Sequence, residues 1–212
     1  MKKLFDMENP FMRTLAMAAD LLILNLLTLV LCLPVVTAGP AVIAMNSIII
    51  KLVRNEEGYI VKPFFRAFKE NFKTGALLSV LLLVTAGFLF ADYLAALAYV
   101  PIMRVGIIAI GVIVMAIAFY VFALAARYEN KLGATLKNAA VLAVGYFPRT
   151  LVMVLFAAVL WVGGIYIYRI GVPLLLLFGL SLPCYVNVLL MNKIFRRMDG
   201  DDEKGRENIS EK

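Results

Sequence analysis

The chain has 212 residues, 63% of them hydrophobic and 17% charged, with a mean hydropathy of +0.92. A soluble domain is nearer half apolar and a quarter charged, so a water-solvated globule is excluded and lipid becomes the main solvent. The formal charge of +7 would suit nucleic acid, but the cations are distributed as flanks of apolar runs, which excludes that partner.

In chain order, the N-terminus carries Lys2 and Lys3 but no small-residue cleavage site behind a short apolar core. The first run therefore reads as a retained membrane helix and not as a removed signal peptide. A span needs roughly 20 apolar residues, and six segments approach that length: about 14–36, 40–53, 75–98, 105–126, 150–168 and 171–191. The second is short and carries Asn46 and Ser47; it either crosses or re-enters. Pro34, Gly39 and Pro40 mark a tight turn between the first two. The expected fold is all-α, a polytopic bundle over residues 1–198, followed by a charged and disordered cytoplasmic tail at 199–212.

Cation bias sets the sidedness. With six spans and both termini cytoplasmic, 19 of the 21 Lys and Arg fall inside, leaving Arg104 and Arg169 outside. Dropping one of the first two spans would send the densest basic loop across the membrane. That loop begins a helix at Pro63, and Phe64, Phe68 and Phe72 recur every four residues among Arg66, Lys69 and Lys73. The pattern predicts an interfacial amphipathic helix, with phenyl rings at the acyl boundary and cations among anionic headgroups. Such a helix is either a passive elbow or a docking surface for a cytoplasmic partner. The inner loop before Pro148 repeats the design more weakly.

Three hairpins open on similar words, PFMRTL, NFKTG and YFPRTL. They are read either as a triplicated hairpin or as the aromatic-plus-cation entrance that any span favours.

Intramembrane polar residues are the candidate site. Counting from the inner ends of the spans puts Asp20, Asn46, Ser79, Tyr120 and Asn187 at comparable depth. This polar layer is either interhelical hydrogen-bond glue or a substrate or ion site. Catalytic signatures are missing: there is no GxxxxGK[ST], HExxH, GxSxG or CxxC. Without histidine, the commonest general base and metal ligand is gone too. The expectation is a protein without enzymatic activity, metal or cofactor. Cys32 and Cys184 sit alone in apolar runs and read as packing residues. Gly163, Gly164, Gly87, Gly106 and Gly111 read as close helix contacts.

DLLILNLLTLVLCLPVVTAGPA, with Asp20, Asn25 and the Leu33–Thr37 turn, and the later RNEEGY and FKENF segments, resemble the YesL-like family of bacterial membrane proteins of unknown function. The likeness is specific over the first 75 residues and general behind them. It implies a multi-pass protein of the bacterial plasma membrane. It also implies an accessory role in carbohydrate uptake, with ABC importer subunits or a membrane sensor as partners, because such proteins are often encoded beside sugar importers. The competing expectation is a small transporter or channel with its polar site around Asp20.

Overall fold

The computed structural model describes residues 10–54, 59–98, 103–128 and 132–192. The expected tail at 199–212 and the lysines at the start of the chain lie outside these. Among the described residues every regular element is a helix: α1 (Pro10–Leu31), α2 (Val35–Val53), α3 (Val61–Glu70), α4 (Phe72–Ala98), α5 (Met103–Arg127), α6 (Leu132–Gly145), α7 (Phe147–Tyr166), α8 (Tyr168–Phe178) and α9 (Ser181–Asn192). Lipid offers no partner for backbone N–H and C=O groups, so apolar runs of this length close their hydrogen bonds internally as helices.

Five helices (α1, α2, α4, α5 and α7) are long and apolar enough to cross a bilayer, and six do so if α8 and α9 count as one. The sixth expected span, 171–191, is not continuous. It bends by 55° where α8 meets α9. Gly179 and Leu180 form the break, and Pro183 lacks an N–H in the first turn of α9.

The core has two parts that share α2. In one, Leu24 of α1, Met45 and Ile49 of α2, Phe64 of α3 and Val188 of α9 pack together. In the other, Tyr120 and Leu124 of α5 meet Ala139 of α6 and Met153 of α7, with Ile43 of α2 and Leu78 of α4. The outer surfaces of α4, α5 and α7 are apolar and exposed, as at Phe88, Phe90, Val105, Val159 and Val162. That is the arrangement lipid requires.

Close approach of backbones occurs at two crossings. A side chain at Gly39 would collide with the Gly75 carbonyl, and one at Gly75 with the Pro40 backbone, so α2 and α4 touch there. A side chain at Gly171 would meet the Gly164 carbonyl, which brings α7 against α8. Of the glycines expected at helix contacts, only Gly164 serves one. Gly87, Gly106, Gly111 and Gly163 face open space, because a small residue marks a crossing only when its face turns inward.

α3 is the amphipathic helix the sequence suggests, and its register decides its use. Phe64 is wholly buried and Phe68 packs against the same cluster, so these rings belong to the core. Arg66, Lys69, Phe72 and Lys73 stay exposed. α6 turns Thr135, Ala139, Leu142 and Ala143 inward and leaves Val141 and Val144 out.

Candidate functional site

The five candidate polar residues do not form one layer. Asn46 and Asn187 come together, while Asp20, Ser79 and Tyr120 stand apart from them. Equal depth fixes height on a helix but not the direction faced, and these five residues face different ways.

Asn46 and Asn187 line a cavity of about 340 Å³ enclosed by α2, α5, α7 and the start of α9. Its other walls are apolar, among them Met45, Phe119, Phe122 and Trp161. The Asn46 amide nitrogen donates to the Val42 carbonyl at 2.9 Å, and Cys184 lines the same cavity. Asn187 is 3% exposed, and its Oδ1 has no hydrogen-bond partner among the described residues.

Ser79 serves the α2–α4 crossing. Its Oγ accepts a 2.6 Å hydrogen bond from the Gly39 N–H, one residue before Pro40. Tyr120, fully buried, hydrogen-bonds Thr150 at 3.0 Å, and the Thr150 hydroxyl donates to the Ala143 carbonyl at 2.9 Å. This chain ties α5 to the joint between α6 and α7. Asp20 is half-exposed on α1 and lines no part of the cavity. Ser79 and Tyr120 therefore act as glue between helices.

The residue that matters most to the geometry, Asn25, was recognised in the sequence only as part of the family likeness. It is wholly buried on α1 and holds the broken helix from both sides. Its Nδ2 donates to the Leu176 carbonyl at 2.8 Å, and its Oδ1 accepts from the Leu180 N–H at 2.9 Å and the Ser181 N–H at 3.0 Å. A helix break leaves carbonyls free on one side and N–H groups free on the other. An amide offers one donor group and one acceptor, so a single asparagine answers both needs. The signal was an amide in an uncharged run, together with the GLSLP interruption at 179–183.

Cations mark the ends of several helices. The Arg127 guanidinium lies over the Tyr128 ring at 5.5 Å and Arg149 over Tyr146 at 5.3 Å. Along α3, Lys62, Arg66 and Lys69 recur at spacings of four and three, which is one face of a helix, and Lys73 follows beyond the turn at the start of α4; all four are exposed. Among the described residues no three Cys, Asp or Glu side chains gather as metal ligands would.

Comparison with known proteins adds the family. Residues 21–93 match the model for "Protein of unknown function, DUF624". The "Uncharacterized protein YesL" of Bacillus subtilis (strain 168) is 30% identical over 167 residues, which is 78% of this chain and 78% of that protein. No solved structure matches. The family match over residues 21–93 and the 30% identity across 78% of both chains lead to one assignment: the chain belongs to the YesL-like, DUF624 family.

Proposed function

We propose that this protein is a non-catalytic, multi-pass accessory protein of the bacterial plasma membrane that supports carbohydrate uptake. It would dock an importer subunit or a membrane sensor, together with anionic headgroups, through its inner basic face. The observation carrying this reading is the exposed stripe Lys62–Arg66–Lys69 on a helix pinned to the core by Phe64, with exposed Lys73 just beyond it at the start of α4. A rigid helix that presents aligned cations binds an acidic surface without paying to order itself.

The cavity between α2, α5, α7 and α9 does not suit sugar passage around Asp20, which is not among its lining residues; it offers two amides among apolar walls. A sugar brings many hydroxyls, each of which needs a partner once buried. The test is affinity co-purification of the tagged protein with carbohydrate importer subunits from its native membrane. Changing Lys62, Arg66, Lys69 and Lys73 together to Gln should lower recovery of those subunits while the yield of folded protein holds. Undiminished recovery would remove the basic face from the interaction.

A further inference from the structure

We propose that the cavity between α2, α5, α7 and α9 binds a neutral lipid alcohol taken from the bilayer, with Asn187 holding its hydroxyl. Four observations lead there. The volume, about 340 Å³, lies in the range of small-molecule sites. No charged side chain lines it, so an ionised head would be left without compensation. Met115 of α5 and Trp161 of α7 line it while remaining 43% and 42% exposed, so its mouth opens on the lipid-facing surface.

Asn187 supplies the fourth. A buried amide oxygen with no partner is costly, and a hydroxyl donor removes that cost. The neighbouring helix start cannot serve instead, because Asn25 already occupies the N–H groups of Leu180 and Ser181. The Asn46 amide nitrogen is likewise engaged, by the Val42 carbonyl. One open hydrogen-bonding side chain among apolar walls suits one hydroxyl on a hydrocarbon body.

Trp161 is the chain's single tryptophan and lines the cavity, so its fluorescence reports occupancy. The purified full chain in nanodiscs of neutral lipid is titrated with a terminally brominated long-chain alcohol. Saturable quenching is expected. Asn187→Leu should weaken it about tenfold while leaving the thermal stability of the unliganded protein equal or higher. Ala157→Leu, which intrudes from another wall, should abolish it. A brominated alkane of equal length that quenches as well as the alcohol, an Asn187→Leu variant that binds as wild type, or one that is destabilised would each overturn the assignment.

A separate observation bears on the first hairpin, and from it we infer that α1 and α2 re-enter without crossing. Gly75 stands two residues beyond Lys73, which the cation bias puts at the inner face. Gly39 lies against Gly75. Only four residues, about 6 Å of helix, separate Gly39 from Val35 at the start of α2. The α1–α2 turn therefore lies on the order of 10 Å from the plane of Lys73, in a hydrocarbon core about 30 Å thick. A second basic marker agrees: Ile43 packs in the cluster of Tyr120, whose hydroxyl meets Thr150 beside Arg149.

The turn itself suits lipid. Leu33 is 82% exposed, Val35 and Val36 are half-exposed, and the Thr37 hydroxyl is bonded to the Leu31 and Pro34 carbonyls. Both ends of the hairpin stay on the inner side, so the cation bias is unchanged. The test places one cysteine at Leu33 or at Met103 in a background free of Cys32 and Cys184, and labels intact cells with a membrane-impermeant maleimide. Position 103 should react and position 33 should not, although a lipid-soluble maleimide should label both. Labelling of position 33 by the impermeant reagent would overturn the inference.

Discussion

The α1–α2 hairpin and the α4–α5 hairpin are both apolar throughout, yet they occupy opposite places in the bundle. The apolar stretch of α2 is 56% buried, whereas that of α4, with higher hydropathy, is 11% buried. In lipid the most hydrophobic helix is not the innermost one, because exposure to acyl chains costs an apolar side chain nothing. What distinguishes the hairpins is the reach of their polar atoms. Asn25 and Ser47 bond to helices far along the chain, and the Gly39 N–H donates to Ser79 across the crossing. Further along α4, the Thr85 hydroxyl bonds, among the described residues, only to the Leu81 carbonyl of its own helix. Long-range hydrogen bonds and backbone contacts, rather than hydropathy, pick out the centre of this molecule.

The largest effect should come from filling the α2–α4 crossing. Gly39→Leu has nowhere to put its side chain, since the Gly75 carbonyl and the Ser79 hydroxyl already occupy that space. We expect a loss of about 3 kcal/mol and poor accumulation of folded protein. Gly87→Leu and Gly111→Leu, on faces with nothing nearby, should stay within about 0.5 kcal/mol of wild type. Fluorescence-detected size-exclusion chromatography across a temperature series measures all three. Equal tolerance at positions 39 and 87 would erase the contrast between the hairpins.

Next in size is Asn25→Leu. It fits the space but strands the N–H groups of Leu180 and Ser181 and the carbonyl of Leu176. The expected cost is about 2–3 kcal/mol. Amide exchange should rise at residues 176–181 before it rises elsewhere. Thr85→Val on α4 removes a local bond at an exposed position and should cost about 0.5 kcal/mol or less. A variant at position 25 as stable as the one at 85 would mean that the break is held by something other than this amide.

These contrasts also explain what the sequence could disclose. Helix number and type were legible, because six apolar runs punctuated by Pro34, Pro63 and Pro148 leave few alternatives. The amphipathic α3 was legible from Phe64, Phe68 and the cations between them. Which ring faces inward was not, since that depends on how α2 receives the helix. Depth counting grouped Asp20, Asn46, Ser79, Tyr120 and Asn187 as one layer, of which only Asn46 and Asn187 line the cavity, because sequence spacing gives height and omits azimuth. The break at Gly179 lies in a run whose hydropathy reads as continuous, and what holds it, the pairing of Asn25 with residues some 150 positions away, could not be read from the run itself. Tertiary hydrogen bonds of that range leave no periodic trace.

Tyr120→Phe probes the other half of the core at moderate cost. The hydroxyl bond to Thr150 is lost, but Thr150 keeps the Ala143 carbonyl, so no buried group is stranded on that side. About 1 kcal/mol is expected from thermal unfolding in detergent. A loss as large as that of Asn25→Leu would show that the joint between α6 and α7 is as central as the broken helix.

The smallest effect on stability belongs to Arg66, and it separates folding from docking. Its bridge to Glu70 spans one helical turn at 2.9 Å, with side chains 81% and 59% exposed. Such a pair contributes about 0.3 kcal/mol, less at high salt. Arg66→Gln should therefore leave the melting profile unchanged to within that margin, while Phe64→Ala on the same helix empties a core site and costs about 3 kcal/mol. Partner recovery should follow the opposite order per unit of stability lost. Arg66→Gln should weaken capture of importer subunits with the fold intact, and that loss should be steeper at low ionic strength, where an unscreened charge counts most. If Arg66→Gln alters neither melting nor capture at any salt concentration, the exposed stripe is solvated surface and the elbow is structural alone.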